Sequence, residues 1–239
     1  MIFLQVTTAL LQGFAISLVI FAVTLLCGVP LGLPIAFCSM SRIGVIRGTS
    51  KVIVWIVRGV PLMLQIFMIF YVPGLLLKKI DGLPFNPNIF ATVDKYFFMK
   101  YDIPSVGRII AVLIAFSINY ACYFSEIYRG GIESISRGQY EAGYVLGLTK
   151  GQIFKNIVLK QVIKRIVPPM SNEIITLIKD TALANCITVA EIIKVSKDFA
   201  AKDYLIWPLF YAGVFYLLFV GLLTILLGRL EKKLSYFRS

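Results

Sequence analysis

The sequence predicts an all-α integral membrane protein of about five transmembrane helices, with its N-terminus outside and its C-terminus inside. Three observations carry that expectation. Only 15% of the 239 residues are charged and 59% are hydrophobic, with a mean hydropathy of +0.85, whereas soluble domains carry about 25% charge. The apolar residues come in unbroken runs that a water-soluble fold could not cover. The net charge of +12 would raise the question of nucleic acid in a soluble protein, but here it is concentrated between the runs. The composition excludes an ordinary cytosolic enzyme, and residues 1–239 read as one transmembrane domain.

No charged residue precedes Arg42. A straight helix of that length, at about 1.5 Å per residue, would overshoot a hydrocarbon core of about 30 Å. The run is therefore expected to divide into an amphipathic lead-in over residues 1–8, ending at Thr7 and Thr8, and a first span over 10–38. Gly28, Pro30, Gly32 and Pro34 are expected to bend that span near its end. A second span is expected over 52–77, interrupted by Arg58-Gly59 and Pro61 and closed by Pro73-Gly74. A third covers 107–129. The fourth, 156–179, carries Asn172, Glu173 and Thr176, so its apolar part is a poor span in isolation and its first turns should leave the membrane. The fifth, 205–228, is long enough by itself.

The positive-inside rule orients these spans. Residues 39–51 hold Arg42, Arg47 and Lys51; residues 129–165 hold Arg129, Arg137, Lys150, Lys155, Lys160, Lys164 and Arg165; the tail holds Arg229, Lys232, Lys233 and Arg238. Only Glu133, Glu141 and Glu231 oppose them, so a net +11 of the total +12 falls on one side, which is assigned to the cytoplasm. The other side is balanced: Lys78, Lys79, Lys95, Lys100, Lys179, Lys194, Lys197 and Lys202 face Asp81, Asp94, Asp102, Asp180, Glu191, Asp198 and Asp203. No basic leader or small-residue cleavage site marks the first span as a removable signal peptide.

The sequence contains no histidine. This removes His-based acid/base chemistry and His-ligated zinc, haem or copper. Neither a GxxxxGK[ST] phosphate loop nor a GxGxxG turn occurs, so no cofactor or nucleotide is expected on this chain. Cys27, Cys38, Cys122 and Cys186 are scattered and read as buried apolar thiols. Function must then come from forming a path or an interface.

The longest cytoplasmic connection looks ordered. Ser136-Arg137-Gly138-Gln139 fits a capping box, and Tyr140, Tyr144, Val145 and Leu148 recur at helical spacing, predicting a short helix over about 137–148 with an outward apolar stripe. Such a stripe suits a groove on a soluble partner; a helix lying on the membrane surface would show the same pattern.

The run Glu141-Ala142-Gly143-Tyr144-Val145-Leu146-Gly147, followed by Ile157 and Leu159, resembles the EAA signature of permease subunits of ATP-binding-cassette importers. Three further stretches resemble the polar amino-acid branch of that family: Arg58-Gly59-Val60-Pro61-Leu62-Met63-Leu64-Gln65, Tyr123-Phe124-Ser125-Glu126-Ile127-Tyr128-Arg129-Gly130-Gly131-Ile132, and Asn172-Glu173-Ile174-Ile175-Thr176-Leu177-Ile178-Lys179-Asp180-Thr181. The four occur in order and the similarity covers roughly residues 9–235. There are three departures. Gly143 replaces the usual alanine, which lowers helix propensity by about 1 kcal/mol; Lys160 stands where the family often has proline, predicting continuous helix there; and the external segment 78–105 is long, with a turn-rich Leu83-Pro84-Phe85-Asn86-Pro87-Asn88 core.

The resemblance implies a type I importer permease fold in the bacterial cytoplasmic (inner) membrane. It implies a second permease copy, identical or related, and two ATPase subunits that use ATP and magnesium. It also implies an extracellular amino-acid-binding protein and a polar amino acid as substrate. Tyr140, Glu141, Ala142, Tyr144, Val145, Gly147 and Leu148 would couple to the ATPase. ATP hydrolysis is then expected in the partner, not in this chain.

Arg58, Glu126 and Glu173 lie within expected spans, where each costs about 2.5 to 3.5 kcal/mol if unpartnered. They could form a neutral network between helices or line a path for the two ends of a zwitterion. Asn119, Tyr120, Asn172 and Thr176 lie nearer mid-membrane and are the preferred substrate contacts, with polar glue between helices as the competing role. A small secondary carrier is the alternative function, though no inverted repeat is visible. A lipid-modifying membrane enzyme would need a nucleophile and base or a metal cluster that the composition does not offer.

Overall fold

The computed structural model describes residues 2–77, 89–101 and 106–234, which are almost entirely helical and contain no strand. Residues 83–88 of the external segment and Arg238 lie outside the described residues. Helix α1 spans Ile2–Ser39 without interruption. The expected separate lead-in is absent because Thr7 and Thr8 do not end a helix. Their hydroxyls donate back to Phe3 O at 2.8 Å and Gln5 O at 2.9 Å and so stay within the turn. Pro30 and Pro34 sit inside α1 and do not divide it.

The expected second span is instead two helices, α2 (Gly44–Gly59) and α3 (Leu62–Leu77), that meet at 102°. Pro61 has no N–H to continue α2, and Val60 before it is extended, at φ −94° and ψ 130°, as the residue preceding proline prefers. The break is held by Gln65, whose Nε2 donates to Val57 O at 2.7 Å and Val60 O at 2.8 Å. These are carbonyls the broken helix would otherwise leave open.

Helix α4 (Ile89–Tyr101) belongs to the external segment. Asp94 on α4 caps the next helix, α5 (Val106–Glu133), by accepting from Gly107 N at 2.6 Å and Arg108 N at 3.3 Å. Arg108 Nε pairs with the same carboxylate at 3.0 Å. Short cytoplasmic helices α6 (Arg137–Val145) and α7 (Lys150–Ile153) follow. A π-helical segment, Phe154–Val158, then runs into α8 (Leu159–Asp180) with no break at Lys160, as the missing proline predicts. A 3₁₀ turn over Thr181–Ile187, α9 (Ile192–Asp203) and α10 (Trp207–Leu234) complete the described chain.

By length and composition α1, α5 and α10 can each cross a membrane, and the bent pair α2–α3 can do so jointly. With α8, which is too polar to qualify alone but packs between α5 and α10, the bundle has about five spans. At its centre lies α5, whose Phe116, Tyr120 and Phe124 are buried among Ile20 of α1, Ile66 of α3 and Leu177 and Ile178 of α8. At the external end Phe3 stacks on Trp207 at 5.6 Å and on Tyr211 at 5.8 Å, the aromatic anchoring expected at a bilayer interface. The thiols follow the expectation only in part: Cys122 is buried, Cys27 and Cys186 are half-buried, and Cys38, on the last turn of α1, is exposed.

Candidate functional site: the cavity at the helix break

The break between α2 and α3 opens a cavity of about 520 Å³ against α5 and α8, within the range of small-molecule sites. Its wall combines Arg58 and the Gly59-Val60-Pro61 bend with Asn119, Tyr120 and Tyr123 of α5 and Glu173, Thr176 and Asp180 of α8. On α5 these positions fall at i, i+1 and i+4, and on α8 at i, i+3 and i+7, so each helix presents a single face. Five of the seven expected path residues, Arg58, Asn119, Tyr120, Glu173 and Thr176, meet here.

The other two do not line this cavity. Asn172 is exposed, and its carbonyl accepts from the Thr176 hydroxyl at 2.9 Å. Glu126 lies one turn along α5, where Arg129 grips it with Nε to Oε1 at 3.0 Å and a second nitrogen to Oε2 at 2.7 Å. Arg58 approaches Glu126 Oε2 only to 3.7 Å. Within the network that the sequence allows for Arg58, Glu126 and Glu173, the contact of Arg58 with Glu126 is therefore secondary to a local i, i+3 pair. A bidentate guanidinium–carboxylate contact outcompetes a single longer one.

Two lining residues were missed from the sequence. The ring of Tyr123 lies 4.8 Å below the Arg58 guanidinium, close enough for a cation–π contact. Asp180 had been counted among the external loop charges, but it accepts from the Tyr120 hydroxyl at 2.7 Å. Its signal was present: it lies seven residues after Glu173, two turns along the same face. The cavity thus offers one guanidinium, two carboxyl groups and neutral hydrogen-bonding groups, which can meet the carboxylate and the ammonium of one small solute.

The cytoplasmic helix is built differently from the prediction. Ser136 is its N-cap but makes no side-chain capping bond, and Gln139 Oε1 accepts instead from Gln161 Nε2 at 2.9 Å. The capping box forms instead at the start of the next helix, α7, where Thr149 N donates to Gln152 Oε1 at 2.9 Å and Gln152 N to Thr149 Oγ1 at 3.4 Å; Thr-x-x-Gln is legible there in the sequence. The predicted outward stripe splits. Tyr140 and Leu148 pack inward on a cluster of Ile135, Ile153, Val158 and Val162, while Glu141, Ala142, Tyr144, Val145 and Leu146 are exposed. Gly147, at φ 72°, ends the helix in a left-handed turn. Gly143 is buried, and a Cβ there would stand 2.6 Å from Ile153 Cγ1. The departure from alanine thus lets α6 sit directly on the segment leading into α8.

Apolar helices enclosing a cavity with both signs of charge, and an ordered helix exposed on the basic side, define a membrane transport subunit. Residues 28–236 match the family described as "Binding-protein-dependent transport system inner membrane component", and the chain belongs to that family. It is 33% identical over 210 residues to the L-cystine transport system permease protein TcyB of Bacillus subtilis (strain 168), covering 87% of this chain and 79% of that protein. It is 31% identical over 235 residues to the arginine transport system permease protein ArtQ of the same organism, covering 95% and 92%. Among solved structures, "Crystal structure of an amino acid ABC transporter with histidines" superposes with a TM-score of 0.78 at 24% identity, covering 97% of this chain and 96% of that one. The protein is thus a multi-pass inner-membrane permease of an ATP-binding-cassette transport system, with the type I importer fold. Systems of this family work with a binding protein and place ATP hydrolysis in partner subunits.

Proposed function

We propose that this permease imports polar amino acids and that the cavity at the helix break is its solute path. The observation that carries this reading is the lining: Arg58 on one wall, Glu173, Thr176 and Asp180 on another, and Asn119 of α5 on a third. The names of the relatives, cystine and arginine permeases, agree with a substrate carrying both an ammonium and a carboxylate.

A second permease copy, identical or related, would complete the pore. Two ATPase subunits, using ATP and magnesium, would dock on α6 through Glu141, Ala142, Tyr144 and Val145. Tyr140, Gly147 and Leu148 would fix the helix that presents them, and an extracellular binding protein would deliver the solute. The structure offers a route for the stroke. Gly143 seats α6 on Ile153, and α7 continues through the π-helical segment into α8, which carries Glu173, Thr176 and Asp180. A pull on α6 reaches one wall of the cavity directly.

The test is uptake into proteoliposomes holding the complete transporter and its binding protein. Arg58→Gln and Glu173→Gln should each lower ATP-dependent uptake at least about tenfold, the worth of one charge-assisted hydrogen bond, while the ATPase still co-purifies. Wild-type uptake by both variants overturns the cavity assignment, and uptake that proceeds without ATP would indicate a carrier.

A further inference from the structure

Along one face of α5 the residues Tyr123, Glu126, Arg129 and Glu133 follow one another at spacings of three, three and four, so their side chains form a line down the helix. The line begins in the cavity, where Tyr123 lies under Arg58, and ends beyond it, at Glu133. Charges alternate along it. Arg58 is 3.7 Å from Glu126; Glu126 is held by Arg129 at 2.7 Å; Arg129 also reaches Glu133 at 2.6 Å.

Glu126 is the decisive member. It has two oxygens and two arginines within reach, one from its own helix and one from the cavity wall. Arg129 takes both oxygens, with near-ideal charge-assisted distances, and Arg58 is left with a longer contact to an oxygen already used. Arg129 can do this without moving because it stands three residues away on a rigid helix, and its second bond to Glu133 fixes its rotamer further. Arg58 consequently stands in the cavity with its guanidinium over the Tyr123 ring and its side chain 41% exposed, and among the described residues its nearest carboxylate oxygen is the 3.7 Å contact to Glu126.

We propose that Arg129 is a positioning residue: by occupying Glu126 it keeps Arg58 free to receive the carboxylate of a solute. This rests on the path assigned above. Removing Arg129 leaves Glu126 with no close partner but the 3.7 Å contact to Arg58, in a bundle of low polarity. The nearest relief is a direct Arg58–Glu126 pair, which would withdraw Arg58 from the cavity. Removing Glu126 as well abolishes the competitor and restores Arg58.

The experiment uses the reconstituted transporter and two readouts. The first is the rate at which phenylglyoxal modifies Arg58, followed by mass spectrometry of its peptide, which needs no solute. The second is ATP-dependent uptake of labelled L-arginine and, separately, of L-cystine. Arg129→Gln should slow modification of Arg58 at least about fivefold and lower uptake, as expected when a free guanidinium becomes ion-paired. The Glu126→Gln/Arg129→Gln double variant should recover both to within about twofold of Glu126→Gln alone. Arg129→Lys, which keeps the charge but loses the fork, should fall between, and covers the case in which Arg129→Gln does not fold.

Unchanged modification of Arg58 in Arg129→Gln and Arg129→Lys overturns the inference. So does a double variant no better than Arg129→Gln. Modification that falls while uptake of a transported probe holds supports the release of Arg58 and overturns its use in the path. Failure of the positioning role and failure of the proposed path are therefore told apart.

Discussion

Helices α5 and α10 are each 28 residues long and each apolar enough to cross a bilayer, yet their surroundings are opposite. Of the membrane-length window, 56% is buried within the subunit in α5 and 6% in α10. The sequences already differ in kind. On α5 small residues such as Ala111, Ala115, Ser125 and Gly131 are buried and let neighbouring helices approach. On α10 Phe210, Leu217 and Leu218 point away from the subunit, as suits contact with lipid or a second permease. Polar groups on α5 reach other elements: Tyr128 donates to Val29 O of α1 at 3.1 Å and Tyr120 to Asp180 of α8. On α10 Thr224 returns its hydroxyl to Val220 O of its own helix at 2.8 Å. Hydropathy therefore identifies a span, while the distribution of small and polar residues identifies which span is the hub.

The sharpest way to break this contrast is to add the same isopropyl side chain to a glycine in each helix environment. A Cβ at Gly32 of α1 would stand 2.9 Å from Phe124 Cβ and 3.1 Å from Ala121 O of α5, so α1 must move away. At Gly221 of α10 nothing lies within 4 Å. Gly32→Val should destabilise the detergent-solubilised subunit by about 1 to 3 kcal/mol, the usual cost of overpacking a tight core, and lower its melting temperature accordingly. Gly221→Val should leave the melting curve unchanged. Equal shifts in the two variants would mean that α10 is buried by something other than lipid, and a second permease would be the first candidate.

That contrast also explains what the sequence alone made legible. The helical runs α1, α5 and α10 and a short helix near Arg137 follow from hydropathy and periodicity, which are local properties. The five expected path residues that meet in the cavity were found because a charged, amide or hydroxyl side chain inside an apolar run is conspicuous. What was missed depends on contacts between distant segments. Asp94 caps α5 from thirteen residues away, and Asp180 looks like a loop charge until Tyr120 is seen to hold it. The strength of the Arg129–Glu126 pair was missed for the reverse reason: a partner three residues away on the same helix holds Glu126 more tightly than Arg58, which reaches it from another helix at 3.7 Å. The α2–α3 break was visible as Pro61, but its angle of 102° is set by packing against α5 and by Gln65.

Gln65 provides the next test, because it decides whether the wall opposite α5 is fixed or compliant. Its amide nitrogen satisfies two carbonyls exposed by the break. Gln65→Leu keeps the volume and removes both bonds, leaving the half-buried carbonyls of Val57 and Val60 unpaired at a cost of about 1 to 3 kcal/mol. ATP-dependent uptake should fall several-fold, and amide hydrogen exchange around residues 57–65 should speed up while α10 stays as in the wild type. Exchange that is unaltered near the break would show that packing alone holds the bend.

Val145 carries the smallest expected effect on stability and separates two kinds of exposed apolar surface. At 87% exposure it resembles the outward residues of α10, but it lies on the basic side that the charge pattern assigns to the cytoplasm. If exposure on α10 means lipid and exposure on α6 means a protein groove, then Val145→Ser should leave the melting temperature within about a degree of wild type, since surface changes usually stay near zero. The same variant should weaken co-purification of the ATPase and reduce ATP-driven uptake. The loss of one well-seated aliphatic contact at a docking surface gives that effect without any change in the permease fold. A variant with intact ATPase binding and full uptake would place Val145 outside the docked face and shift the contact toward Glu141 and Tyr144.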